Sequence, residues 1–133
     1  MSTTTYRSSF NVVYSAKDHP IWCPKYRRRV LVDAVESRLV EIIRQVCAEH
    51  QAEFLGVETM PDHLHVLVEV DPSFGVSRLV RLMKGCSSRL LCQEFPRLRW
   101  LPTLWTNSWF CSTVGGAPIE VVRRHIENQE LAA

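Results

Sequence analysis

Met60-Pro61-Asp62-His63-Leu64-His65-Val66-Leu67-Val68-Glu69-Val70 reads as a turn that opens onto a strand. Proline and aspartate at 61 and 62 punctuate the chain. From His63 onward the residues alternate. Leu64, Val66, Val68 and Val70 take one face, and His63, His65, Leu67 and Glu69 take the other. One face is therefore built for a core. The other presents two imidazoles side by side.

The neighbouring segments supply what such a strand packs against. Upstream, Ala52 to Thr59 has the composition of another strand, and Val35, Leu39, Ile42, Ile43, Val46 and Cys47 recur at helical spacing. They predict an amphipathic helix over Val32 to His50. Downstream, Pro72 to Gly75 is a loop, and Leu79, Met83, Cys86 and Leu90 mark one stripe of a second helix over about Val76 to Glu94. Phe10 to Tyr14 is aromatic and β-branched, so it predicts the first strand. That strand is expected to resume around Ile21 and Trp22 after an interruption at Pro20, as at an edge or bulge. Pro96 to Thr106 is irregular and rich in tryptophan, and Trp109 to Val114 predicts a fourth strand. Gly115-Gly116 forms a joint, and Pro118 suits the first turn of a final helix at about 118–131. The order β-α-β-β-α-β-α, without repeats, predicts a single α+β domain over residues 1–133, with helices on one face of an antiparallel sheet.

Apolar residues are 46% of the 133, enough for a core without staples. No apolar run approaches the roughly 18 residues of a membrane span. Met1 to Phe10 has neither the charged nor the apolar region of a signal peptide. The five cysteines are odd in number and scattered. A cytoplasmic protein with reduced thiols is the expectation. Net charge is only +2, but it is unevenly spread. Lys25 to Arg29 holds four basic residues in five, and Arg78 to Arg99 holds six against Glu94 alone. Such asymmetry suits a polyanion-binding face and equally suits solvated helix surfaces.

Several residues are candidates for chemistry. His63 and His65, two apart on a strand, can present both rings to one metal ion. A bare His-x-His also fits two surface histidines. His125 and Gln129, four apart, share one face of the final helix, and Gln129 can offer an amide oxygen to a hard cation. An ordinary amphipathic helix reads the same way. Arg78, Arg81, Lys84 (or Gly85), Ser88 and Arg89 can line one side of the second helix as a row for phosphates. Trp100, Trp105 and Trp109 can stack unpaired bases or fill a core, and at least two of the three are expected in the core.

At this point the chain resembles a known family, the single-tyrosine HUH transposases of the smallest bacterial insertion sequences and their relatives linked to repetitive extragenic palindromes. The matching stretches are Ile21-Trp22-Cys23-Pro24-Lys25-Tyr26-Arg27-Arg28-Arg29-Val30-Leu31, Met60 to Val68, Lys84-Gly85-Cys86-Ser87-Ser88-Arg89, Leu104-Trp105, Ser108-Trp109-Phe110, Thr113-Val114-Gly115-Gly116 and Ile126-Glu127-Asn128-Gln129. The resemblance implies a ferredoxin-like or RNA-recognition-like sandwich. It implies that His63, His65 and Gln129 hold a divalent metal, with Mg²⁺ or Mn²⁺ expected. It implies a homodimer in which each final helix docks on the partner subunit, and a substrate of single-stranded DNA beside a hairpin, contacted by Lys25, Arg27, Arg28, Arg29, Arg81, Lys84 and Arg89. The family's tyrosine attacks DNA and conserves the bond energy as a 5′-phosphotyrosine, so strands rejoin with no nucleotide cofactor. Here that catalytic position is His125. The implied function is a metal-dependent transposase that nicks and rejoins single-stranded DNA. The alternatives are a non-catalytic hairpin-DNA-binding protein derived from one, or, setting the resemblance aside, a small metal- or RNA-binding module.

Overall fold

The computed structural model describes residues 7–9, 12–14, 17–100 and 102–113. β1 (Arg7–Ser9) and β2 (Val12–Tyr14) pair antiparallel with each other. The main sheet comprises β3 (Asp18–Trp22), β4 (Glu53–Met60), β5 (His63–Glu69) and β6 (Phe110–Thr113), in the order β4-β5-β3-β6 with every neighbouring pair antiparallel. α1 (Asp33–Glu49) joins β3 to β4, and α2 (Val76–Glu94) joins β5 to β6. This is the expected α+β sandwich, with the strand that precedes α1 placed in the middle of the sheet. The final helix expected at about 118–131 lies outside the described residues. Among the described residues, no helix is long and apolar enough to cross a membrane.

The alternation in β5 builds the core. Leu64, Val66 and Val68 are fully buried and cluster with Val35, Leu39, Ile42 and Ile43 of α1 and with Leu79, Val80 and Met83 of α2. Between β5 and α2 the chain turns at Asp71–Gly75, where the Asp71 carbonyl accepts from the N–H groups of Phe74 and Gly75. Gly75 takes φ +90°, a conformation glycine adopts at little steric cost.

Two expectations are corrected. The strand that precedes α1 and pairs with β5 is Asp18–Trp22, running through Pro20, whereas Val12–Tyr14 pairs, among the described residues, with Arg7–Ser9. Proline has no N–H to donate. Pairing with β5 is carried by Asp18–Val68, Ile21–His65 and Trp22–Leu64, while pairing with β6 continues at Pro20–Cys111. Two ladders hold the strand, so the missing donor does not end it. The second correction is the stripe on α2. Its fully buried residues are Leu79, Val80, Met83, Ser87 and Leu91, with Cys86 and Leu90 only half-buried. Ser87 is inside because its hydroxyl accepts the Trp105 indole N–H at 2.9 Å and donates to the Lys84 carbonyl at 3.2 Å. A serine can satisfy an indole donor that cysteine or leucine cannot.

Ser87→Ala leaves that indole donor buried and unpaired. Urea unfolding is expected to show a loss of about 1–3 kcal/mol with an unchanged m-value.

Candidate metal centre and nucleic-acid interface

The face of the sheet opposite the core carries the histidines. Strand register sets the neighbours: Ile21 and Glu58 lie directly across from His65, and Met60 lies across from His63. Period two then brings His19 to the same face as Ile21. The His65 Nδ1 lies 2.8 Å from Nε2 of His19, and the two rings stack with centroids 5.0 Å apart. The His65 Nε2 lies 2.8 Å from Oε1 of Glu58. The His63 ring follows, its centroid 6.4 Å from that of His65. Its Nδ1 lies 2.9 Å from Oδ1 of Asp62, and Oδ2 of Asp62 accepts from Nη2 of Arg27 at 2.6 Å.

These partners decide the chemical state of the rings. Burial pushes His19 and His65 down to about 4, helped by the charge of His65 on His19 and of His63 on His65. Both are neutral imidazoles at neutral pH. Burial alone would raise the Asp62 carboxyl, but hydrogen bonds from His63 and Arg27 and their charge outweigh it and hold the group below its usual value. When the His63 ring is neutral, donating its Nδ1–H to the ionised Asp62 leaves the lone pair on Nε2. A carboxylate on the far nitrogen of an imidazole is the common support of a metal-ligating histidine. The donor set therefore suits a divalent cation. As placed, no three His, Cys, Asp or Glu side chains among the described residues stand together at metal-holding distance. The other two residues expected at the site, His125 and Gln129, lie outside the described residues.

His19, Glu58 and Asp62 were not singled out by sequence. In the sequence Asp62 reads as a turn residue, and His19 stands next to the interruption at Pro20. A third histidine at the parity of Ile21 was the available signal, but it becomes readable only once the strand is known to run through Pro20.

The basic residues divide by role. Arg28, Arg29, Arg81 and Arg89 are exposed. Arg27 is tied to Asp62. Lys25 sits 5.5 Å from the ring of Tyr26, which is itself 68% exposed. Tyr26 and Arg27 both take left-handed backbone, φ 60° and 52°, which costs non-glycine residues on the order of 1 kcal/mol each. Lys84 is inward: its ammonium donates to the carbonyls of Thr106, Asn107 and Ser108 at 2.7, 3.3 and 3.4 Å. Burial holds it below the usual lysine range, with Cys23 pulling the other way. The same loop pairs with the basic segment, through Lys25 N–H to the Leu104 carbonyl at 2.8 Å and Thr106 N–H to the Cys23 carbonyl at 3.1 Å. The two basic stretches, far apart in sequence, are thus stitched together through residues 104–108. A cleft of about 510 Å³ lies there, lined among others by Arg81, Lys84, Ser88, Asn107 and Trp109. Trp105 is buried, Trp109 packs against the core, and Trp100 is 89% exposed.

The buried histidines make stability depend on pH. In unfolded chain they titrate near 6.5, and in the fold near 4. Between those values the unfolded state binds more protons, so stability falls as pH drops through that window. With a chelator present, urea unfolding is expected to show a loss on the order of a few kcal/mol across it, and a shallower dependence in His19→Asn.

Comparison with known proteins gives a consistent result. The family described as "Transposase IS200 like" matches residues 12–129. The ISDra2 transposase TnpA of Deinococcus radiodurans is 35% identical over 120 residues, covering 88% of this chain and 86% of that protein. The transposase for insertion sequence element IS200 of Salmonella typhimurium is 30% identical over 105 residues, covering 77% and 69%. Among solved structures, a Deinococcus radiodurans R1 protein assigned as a transposase superposes with a TM-score of 0.81 at 33% identity, over 92% of this chain and 97% of that one. A REP-associated tyrosine transposase bound to a REP hairpin shares the fold, with a TM-score of 0.59 at 15% identity over 92% and 68%. Matched along nearly its whole length in sequence and in fold, the chain belongs to the IS200-like transposase family.

Proposed function

We propose that this chain is a metal-dependent, single-strand DNA transposase protein that binds hairpin ends, and that its strand transfer is impaired because His125 stands at the nucleophile position. The observation that carries the metal part is the pair His63 and His65, neutral or held at Nδ1 by a carboxylate, on one strand face beside an arginine-rich segment. Hairpin binding is supported by the family and by the relative whose structure holds a REP hairpin. His63, His65 and Gln129 would hold Mg²⁺ or Mn²⁺, which when bound stabilises charge on the scissile phosphate. Lys25, Arg28, Arg29, Arg81 and Arg89 would take DNA phosphates. Arg27 and Lys84 would act from behind, by anchoring Asp62 and the 106–108 loop. In this reading two chains assemble as a homodimer, each final helix docking on its partner's histidine strand.

The position of His125 favours a second reading, a hairpin-binding protein without strand transfer. Imidazole is a competent nucleophile. Its tip falls short of a tyrosine hydroxyl, and a misplacement of about 1 Å can cost on the order of a hundredfold in rate. The same helix must also keep Gln129 on the metal, which limits compensation.

Incubation with Mn²⁺ and a labelled hairpin-bearing single strand, followed by denaturation, tests this. No covalent adduct is expected from the unaltered chain, and a 5′-linked adduct is expected from His125→Tyr, with hairpin binding similar in both. An acid-labile, alkali-stable adduct on His125 would sink the proposal of impaired transfer.

Phosphate contacts are tested separately by salt titration. Arg28→Ala or Arg81→Ala is expected to weaken binding to all hairpins alike and to flatten the log–log salt slope by about one unit. Lys84→Ala is expected to lower the unfolding midpoint as well. A changed hairpin preference with an unchanged slope would assign that residue to base reading.

A further inference from the structure

We propose that the cleft between α2 and the 103–109 loop is a pocket for one unpaired nucleotide of the DNA, its base against Trp109 and Asn107 and its phosphate on Arg81 and Ser88. This rests on the DNA-binding reading above and names what one part of that surface takes. The first support is Gly85. It stands in the interior of α2, where glycine is disfavoured against alanine because it gives up more backbone freedom. Its backbone is not in the left-handed region that calls for glycine. A Cβ added there would meet nothing within 4 Å among the described residues, so packing within the fold does not require its absence. Gly85 does line the cleft, and any side chain at that position would occupy part of it. The bare position keeps room for something that enters from outside.

The second support is how the polar groups around the cleft are used. Lys84 is held by three loop carbonyls. The hydroxyls of Thr103 and Thr106 donate to the carbonyls of Trp105 and Ser108, at 3.0 and 3.2 Å, and the Trp105 N–H goes to Ser87. These groups build the wall. The side chains of Arg81, Ser88 and Asn107 also line the cleft and have no partner among the described residues. Arg81, Gly85 and Ser88 follow at spacings of four and three, so they share one helix face. The free guanidinium and hydroxyl therefore flank the bare glycine.

The third support is the match of chemistry. Arg81 and Lys84 bring positive charge and no acid lines the cleft among the described residues, which selects an anion. Trp109 is half-buried and offers an aromatic surface on which a base can stack. The Asn107 amide carries both a donor and an acceptor, the pairing that a base edge presents. The volume of about 510 Å³ falls within the range of about 300–1,000 Å³ usual for small-molecule sites. A base inside a duplex has both faces covered by its neighbours, so the nucleotide that enters is an unpaired one.

The experiment measures binding of the full chain to one DNA hairpin, fully paired or carrying a single unpaired nucleotide, of each of the four bases, at successive stem positions. One unpaired form is expected to bind about tenfold more tightly than the paired parent. Gly85→Leu is expected to melt no lower than the unaltered chain, since leucine is the better helix former, and to bind the paired parent within about twofold while losing that gain. Asn107→Ala is expected to narrow the spread among the four bases, because the backbone carbonyl that holds Lys84 remains. Equal binding of all forms by the unaltered chain, or a gain that survives both variants, overturns the pocket and leaves the DNA-binding reading standing. Displacement of the favoured hairpin by micromolar deoxynucleoside monophosphate assigns the cleft to a free nucleotide and overturns the DNA source. An unaltered chain that binds none of the hairpins overturns both readings.

Discussion

A hydrogen bond between two imidazoles, 2.8 Å from His65 to His19, crosses the two central strands. It exists only if β3 and β5 pair in the observed register, with Ile21 facing His65 and Trp22 facing Leu64. The same register sends Trp22 to the helix side, where its ring meets that of Trp105 edge-on at 5.9 Å. A slip by one residue would exchange the two faces, burying His65 among leucines and exposing Leu64. Fixing one polar pair on the open face thus fixes the apolar layer on the other. The cost is two buried rings kept neutral, and it is tolerable because each finds a partner in the other.

Much of this was legible in the sequence, and the reasons differ by element. α1 and β5 were readable because their periods, 3.6 and 2, are carried by residues that end up fully buried, such as Leu39, Ile43, Val66 and Val68. α2 was bounded correctly, but its buried side was misjudged by one position. Its inward face includes a serine, and hydrophobic counting cannot see a hydroxyl whose purpose is to satisfy Trp105. β3 was obscured by Pro20, because local propensity takes no account of a second ladder on the far side. The His63 and His65 pair was visible by spacing. Its supports were not, since Glu58, Asp62 and His19 reach it only through strand pairing and one short turn.

Lys84 and Arg27 show how charge in a sequence can mislead about its use. Both belong to basic stretches, and both are spent on the protein itself, one on three carbonyls and the other on Asp62. A half-buried ammonium with three oxygen acceptors is well satisfied. Such residues shape the surface on which their exposed neighbours Arg28, Arg29, Arg81 and Arg89 act. The arginine-rich turn adds a cost of its own, two successive left-handed residues, offset by the ion pair to Asp62. The turn and the histidine strand are accordingly one mechanical unit, because Asp62 is bonded to both.

The placement of β3 also bears on how the chain reaches this structure. Its sheet partners come much later: the His19–His65 contact with β5 spans 46 residues, and on the other side Pro20 pairs with Cys111 of β6. During synthesis β3 emerges long before either neighbour and waits with both edges open. Long-range pairing of this kind makes folding slow compared with helical proteins of similar size. An unpaired strand in a crowded cell is a template for association with other chains. Pro20 sits in the middle of that strand and withholds one donor from any foreign partner. In the finished sheet the same proline is held by ladders on both sides, so an imperfection in the strand becomes a safeguard for the nascent chain.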